Sequence, residues 1–294
     1  MTLSADLLQH LQKTTGQALR NPRVSGVGGG DINAAYRLQS EDADWFVKTN
    51  RASLATMFAA EAAGLQELTA FNEVRVPKVI DHGQCGGQAY LVLEYLELTG
   101  LRGNSAALFG EKLARLHTHS QPFFGWHIDN TIGSTPQSNA QQADWIDFWQ
   151  KQRLGKQLQI AENNGFGGKL QSKGEKLLAK IPAFFSAYRP HPSLLHGDLW
   201  GGNAAADQHG NPVMFDPACY YGDREADIAM TELFGGFGGD FYAAYQAEYP
   251  LDAGYPSRKT LYNLYHILNH LNLFGSGYQR QAENMMDRLL AELG

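Results

Sequence analysis

Two cysteines stand in 294 residues, Cys85 and Cys219, and no Cys-x-x-Cys pair includes either. That excludes a disulfide framework or a zinc knuckle and points to reduced thiols in a cytoplasmic protein. Charge is also scarce: charged residues make up 18%, and 24 cations against 30 anions give a formal net charge of -6. A nucleic-acid or anionic-membrane footprint needs a dense basic face, so neither partner is expected. Long apolar runs are missing too. The most apolar stretch, AYLVLEYLEL, carries two glutamates within ten residues and falls far short of a membrane span. The opening MTLSADLLQHLQKTTG has no basic start followed by an apolar core, and Leu3, Leu7, Leu8 and Leu11 recur at helical spacing instead of reading as a signal peptide. The run GVGGGD is followed by no Gly-Lys-Ser/Thr, which excludes a Walker A loop. Asp31 occupies the place of the third glycine in a dinucleotide fingerprint.

What is present is an ordinary core, 43% hydrophobic, and an excess of glycine, 32 residues. The length suits one large or two ordinary domains, and the composition excludes wholesale disorder. Along the chain the pattern reads helix, three strands (the first two joined by the glycine-rich turn, the third WFVKTN), helix, and two strands ending near Tyr95. Phe58, Ala62, Leu65 and Leu68 mark the second helix as amphipathic, with Glu61 and Glu67 as its acids. Beyond it, segments 104–119, 142–163, 168–180, 228–248 and 257–292 all carry helical patterns, interrupted by one expected hairpin at 204–215. The expectation is α+β: a small antiparallel-sheet lobe over residues 1–96 and a larger, mainly helical lobe over 97–294, joined by a short boundary near Glu94 to Gly100.

The most specific passage is LLHGDLWGGNAAADQHGNPVMFDPACYYGDREADIAM, residues 194–230. If Ala206 pairs with Val213 across the turn DQHGNP, Asn203 lies opposite Asp216 at the open end of the hairpin. Asp198 sits five residues before Asn203, on the loop entering it, so three oxygen-bearing side chains converge. Carboxylate and amide oxygens without thiols suit a hard cation such as Mg²⁺, and the loop acid is then free to act as a base. Phosphoryl transfer needs that division of labour. Taken singly, Asp198 and Asp216 would read as turn acids; it is the spacing of the set that points to catalysis. Lys48, on the third strand with Phe46 on the same face, is a solvated lysine by default and a phosphate-binding lysine if Glu61 holds it. Glu67 is the poorer partner.

The order of glycine turn, strand lysine, helix glutamate, LEYLEL, HGDLWGGN and FDPA resembles the protein-kinase-like fold in its small-molecule branch, with aminoglycoside phosphotransferases and choline kinases. The longer text HGDLWGGN, FDPACYYGDREADIAMTELFGGF, GGGDINAAYRL and EAAGLQEL is similar to the fructosamine-3-kinase (ketosamine kinase) family, across nearly the whole chain. The resemblance implies an ATP- and Mg²⁺-dependent kinase acting on the 3-hydroxyl of a ketosamine, free or protein-bound, in deglycation. It implies Asp198 as base, Asn203 and Asp216 as magnesium ligands, and Lys48 on the α and β phosphates with Glu61 as its anchor. Gly28, Gly29, Gly30, Asp31, Ile32 and Asn33 would cover the phosphates, and backbone groups of Glu94, Tyr95 and Leu96 would hold the adenine. His196 would brace the loop and Asp227 would hold it from below. Trp200 is open between substrate contact and loop packing. His117 and His119 read as a helix-end cap or surface pair, and the Tyr262, Tyr265, Leu268, Leu271 stripe as core. Asp31 stands where some relatives carry a redox-sensitive cysteine, and no activation segment is evident between Asp216 and Asp227, so neither form of regulation is expected. Gly235, Gly236, Gly238 and Gly239 have no role beyond a turn. An aminoglycoside- or choline-type kinase and a nucleotide-binding pseudokinase are the alternatives; the oligomeric state, monomer or homodimer, stays open.

Overall fold

The structure, a computed structural model, describes residues 3–28 and 32–293. Gly29, Gly30 and Asp31 lie outside the described residues. The first helix, α1 (Ala5–Thr15), starts where the Ser4 hydroxyl accepts the Leu7 N–H and stops at Gly16, whose φ of +68° a side chain would resist. Strands β1 (Arg23–Gly26), β2 (Ala34–Gln39), β3 (Asp44–Arg51), β4 (Val79–Cys85) and β5 (Gln88–Glu94) form an antiparallel sheet in the order β1-β2-β3-β5-β4. The period of two along β3 divides its side chains between two cores. Trp45 and Val47 pack with Leu7 and Leu11 of α1 and with Leu3 just before it, while Phe46 joins the main core and Lys48 turns toward α2 (Ala55–Phe71). Each fully buried leucine in these layers contributes roughly 1.5–3 kcal/mol of transfer free energy. α2 is buried around most of its circumference, between the sheet and the larger lobe, so its pattern is more broadly apolar than an amphipathic stripe.

The larger lobe contains β6 (Leu98–Thr99), α3 (Asn104–Leu116), β7 (Asn130–Ile132), β8 (Thr135–Gln137), α4 (Trp145–Phe148), a π-helical turn over Trp149–Leu154, α5 (Gly155–Asn163) and α6 (Lys169–Lys180). Then come β9 (Ser193–Leu195), β10 (Ala204–Asp207), β11 (Pro212–Met214), β12 (Tyr220–Gly222), α7 (Glu225–Leu233), α8 (Gly239–Glu248), α9 (Tyr255–Phe274) and α10 (Gln279–Glu292). α9 runs through the core, with Tyr262, Tyr265, Leu268 and Leu271 all buried as expected. Arg258 on α9 holds Glu225 at the start of α7 through two hydrogen bonds of 2.7 and 3.0 Å. Asp223 beside it accepts from the hydroxyls of Tyr188 and Tyr262 and from the Glu225 N–H. No helix of the described residues is long and apolar enough to cross a membrane.

Three expectations are corrected. The run 228–248 is two helices, separated where Gly235, Gly236 and Gly238 take φ of +108°, +74° and +84°, and 257–292 is likewise divided at Gly275. Hairpin 204–215 is joined by two further small sheets, β9 with β12 and β7 with β8, whose strands of three residues each are too short to show a period. β6, inside the expected boundary segment, pairs with β10, through Ala206↔Thr99 and Asp207↔Leu98, so that segment is a third strand of the hairpin's sheet.

Candidate active site

The loop from His196 to Asn203 is shaped first by a glycine. Gly197 has φ +83°, and a Cβ there would stand 2.1 Å from the carbonyl oxygen of Ala218, so any side chain would push the loop away from the segment between β11 and β12. Asp227 on α7 holds the loop from below: its Oδ2 accepts the His196 N–H at 2.7 Å and its Oδ1 the Gly197 N–H at 2.9 Å. Burial works against that charge, but the bond from His117, the neighbouring imidazoles and the loop N–H outweigh it and hold the carboxyl below its usual range. His196 Nδ1 accepts the Asp198 N–H at 3.2 Å, which leaves the proton on Nε2 to be donated to the Phe215 carbonyl at 2.9 Å. Burial pushes this imidazole below its ordinary pKa. Both ring nitrogens are engaged with backbone, so His196 braces the loop and has no lone pair left for a metal.

Asp198 is half-buried, and burial followed by the nearby charge of Asp216 raises its pKa to about 7. Asn203 Nδ2 donates to the Asp198 carbonyl at 2.9 Å and to its Oδ2 at 3.1 Å, which orients the carboxylate and leaves the amide oxygen of Asn203 for another partner. The hairpin register is one residue away from the expected one. Ala205 faces Val213, Ala206 faces Pro212, and the Phe215 N–H donates to the Asn203 carbonyl at 3.0 Å, so Asn203 lies opposite Phe215 rather than Asp216. Asp216 enters the site by another route: it takes a left-handed backbone conformation, φ +57°, which for a non-glycine residue costs about 1–2 kcal/mol. That turn carries its carboxylate back to Lys48.

Lys48 Nζ donates to Glu61 Oε1 at 2.7 Å and to Asp216 Oδ1. Burial disfavours its charge, yet the two carboxylates more than compensate and raise its pKa above the ordinary value. The ammonium is therefore fixed and protonated. Glu61, Gly64 and Glu67 follow one another at a spacing of three along α2, and this face lies along the segment after Asp216. A Cβ on Gly64 would stand 3.3 Å from Cys219 Sγ and from Pro217, and Glu67 accepts the Tyr221 hydroxyl at 2.7 Å. Glu67 is thereby committed elsewhere, and Glu61 is the carboxylate that meets Lys48.

Gly28 follows β1, and the far end of the glycine turn is tied to β3 by Asn50, whose Nδ2 donates to the Ile32 carbonyl at 2.9 Å and to Asn33 Oδ1 at 2.8 Å. The Glu94 N–H goes to the Lys78 carbonyl and the Tyr95 N–H to that of Asp44, so of the three amides only Leu96 has no backbone acceptor among the described residues. Trp200 is 39% exposed, and its indole lies over Gly202, where a Cβ would stand 2.3 Å from the ring.

His117 caps the end of α3, one of the two expectations for it, but is fully buried rather than on the surface. Its Nε2 stands 3.3 Å from Asp227 Oδ2 and its Nδ1 2.8 Å from the Tyr245 hydroxyl, which also accepts from Arg224. Asp227 accepts only when Nε2 carries the proton, so hydrogen bonds run in one direction from Arg224 through Tyr245 and His117 to the carboxylate under the loop. The spacing of LARLHTHS contains no sign of this, because the partners lie more than 100 residues away. His119 instead packs on Phe71 beside Glu73.

Hard oxygen donors, one carboxylate from Asp216 and one amide oxygen from Asn203, fit Mg²⁺ held partly through a ligand's phosphates rather than in an all-protein cage. Among the described residues no cluster of three His, Cys, Asp or Glu side chains competes for such an ion.

Residues 3–292 match the family model described as fructosamine kinase. A probable ketoamine kinase of Synechocystis is 46% identical over 287 residues, covering 97% of this chain and 96% of that one. The chloroplastic protein-ribulosamine 3-kinase of Arabidopsis thaliana is 42% identical over 294 residues, covering 99% and 90%. A crystal structure of a candidate fructosamine-3-kinase from Haemophilus somnus superposes with a TM-score of 0.88 at 32% identity and 97% coverage of both chains. A solved aminoglycoside phosphotransferase, at 13% identity and a TM-score of 0.64, shares the fold alone.

Proposed function

Because the chain belongs to the fructosamine kinase family, and is thus a kinase acting on a hydroxyl group, we propose that it transfers the γ-phosphoryl group of ATP to the 3-hydroxyl of a ketosamine with Mg²⁺ as cofactor. The observation that carries this reading is the meeting of Lys48, Asp198, Asn203 and Asp216, delivered by β3, the loop entering the hairpin and the turn just after it. Lys48 would orient the phosphates, its charge secured by Glu61. Asp198 would accept the hydroxyl proton; a base with a pKa of about 7 is well matched to neutral pH. Asn203 would keep that carboxylate aimed and, with Asp216, hold Mg²⁺, which supplies positive charge against the phosphate oxygens. Residues Gly28 to Asn33 would cover the phosphates and the Leu96 N–H would meet the adenine. Trp200 would contact the acceptor. We place the nucleotide lobe at 1–96 and the catalytic lobe at 97–294.

A phosphate at C3, beside the C2 carbonyl, leaves far more readily than hydroxide; its elimination through the 1,2-enaminol would leave an imine at C1, which water would hydrolyse to free the amine: a deglycation step. The free thiols Cys85 and Cys219 suit a reducing cytoplasm. Incubation with ATP, Mg²⁺ and a panel of ribulosamines, fructosamines, aminoglycosides and choline tests the reading. Phosphate on the ketosamine 3-hydroxyl, located by NMR, is expected; transfer only to aminoglycosides or choline would overturn it.

A further inference from the structure

A groove of about 570 Å³ runs between the end of α7 and the facing sides of α9 and α10. It is separate from the catalytic site. Three ring contacts in series, Trp200 to Phe234, Phe234 to His270 and His270 to Tyr278, at 6.3, 5.0 and 5.2 Å, stand between the catalytic loop and Gly277 in its lining.

The helical repeat sorts charge around α10. Arg280, Asn284 and Arg288 recur every four residues and line the groove, whereas Glu283 and Asp287, one step round the helix, turn to Lys173 on α6 at 3.9 and 2.7 Å. α9 supplies the facing wall with Lys259, Thr260 and Asn263, so all the charge in the lining is positive. Lys259 is paired with Glu232 at 2.6 Å and Arg288 with Glu292 at 3.4 Å, but Arg280, exposed on the first turn of α10, has no ion pair among the described residues. Two polar groups of the same lining are unsatisfied as well. Thr260 and Asn263 are 8% and 6% exposed, and neither side chain makes a hydrogen bond among the described residues. The Asn263 Oδ1 is buried without a donor. Buried hydroxyls and amides ordinarily have partners, so the groove is short of an anion for Arg280 and of hydrogen-bonding groups for α9.

We propose that this groove is a second ligand site, for a small phosphorylated polyol, that is, a sugar phosphate: the phosphate pairs with Arg280, and sugar hydroxyls bond Thr260 and Asn263. A phosphate monoester carries a charge of about −1.5 to −2 near neutral pH and three strong acceptor oxygens. It therefore meets the donor fork of Arg280 and the field of Lys259 and Arg288 more fully than a single carboxylate does. A hydroxyl both donates and accepts, so a polyol satisfies the orphaned Asn263 oxygen as well as the Thr260 hydroxyl. A groove of this volume holds a molecule of that size. The site takes no part in the proposed phosphoryl transfer.

Isothermal titration of the full chain with glucose 6-phosphate and with ribose 5-phosphate tests this, with glucose, ribose, gluconate and inorganic phosphate as controls. Saturable one-to-one binding of at least one sugar phosphate is expected, with every control weaker by about tenfold or more. Arg280→Glu, an exposed change, is expected to weaken that binding by about tenfold. Lys13→Glu makes the same change in net charge on the exposed side of α1, far enough away to be screened, and should leave the affinity within about twofold. The inference is overturned if neither sugar phosphate binds saturably, if a control binds as tightly, or if binding survives Arg280→Glu. Equal weakening by the two variants would overturn it too, since the ligand would then be answering net charge rather than the groove. Binding, not turnover, is read, so each of these failures leaves the kinase reading intact.

Discussion

At the scale of single residues, the site depends on atoms whose positions are over-determined. Asn203 aims the Asp198 carboxylate and the imidazole of His196 holds its backbone N–H, so Asp198→Asn removes the proposed proton acceptor with little change in shape. We expect kcat to fall by about 10²–10⁴ with nucleotide affinity preserved, checked by steady-state rates and by titration with ATP. His117 lends itself to a pH measurement. Burial lowers its pKa against the pull of Asp227. Unfolded, it takes up a proton below about 6.5, whereas folded it does so only at lower pH. Its contribution is thus complete above that pH and is lost as pH falls through the window below it. His117→Gln does not titrate. The stability difference between wild type and this variant should therefore be largest near pH 8 and shrink below pH 6.5 by up to about 1.4 kcal/mol per unit, read from denaturant unfolding at each pH. Asp198, Asn203, Asp216 and Lys48 were legible from spacing and residue type because chemistry restricts them. His117 was not, because a histidine at a helix end looks the same whether its partners are water or a carboxylate 110 residues away.

At the scale of elements, contacts without side chains decide the fit. α3 crosses α8 so closely that a Cβ on Gly110 would stand 2.2 Å from the Phe241 carbonyl oxygen. Gly110→Ala must separate two buried helices, and we expect a loss of about 2–4 kcal/mol, seen as a lower denaturant midpoint with an unchanged slope. The same scale explains the errors of sequence reading. The hairpin was recognisable from its turn residues, but its register was not, since Ala204 to Ala206 are alike and all buried and no alternation distinguishes one pairing from the next. The slip of one residue moved Asp216 off the ladder, and only its left-handed backbone restored the convergence that the wrong register had predicted. Strands of two or three residues, β6 through β9 and β12, escaped notice because they owe their existence to neighbours rather than to pattern. Helices longer than ten residues were found, although their glycine interruptions were read through.

At the scale of the whole molecule, the lobes share more than a connection. Arg75, just past α2, donates to Asp207 at 3.0 Å, and its carbonyl accepts the Met214 N–H, so the smaller lobe is bonded into the hairpin of the larger one. With α2 buried between both, unfolding of either lobe exposes the other. Calorimetry is expected to show one transition with equal calorimetric and van't Hoff enthalpies; two separated transitions would contradict this account.

The contact of Gly64 with Cys219 carries a last consequence. Where the lysine-binding glutamate rides on a helix free to swing, the pair can be made or broken, and a kinase can wait. Here the helix bearing Glu61 is seated on the segment that follows Asp216 and pinned again by Tyr221, so disengaging the ion pair would mean breaking those contacts as well. A catalyst held this way would lack a resting posture. Its output would follow supply, the number of its own copies and the amount of acceptor reaching it, rather than answer a message.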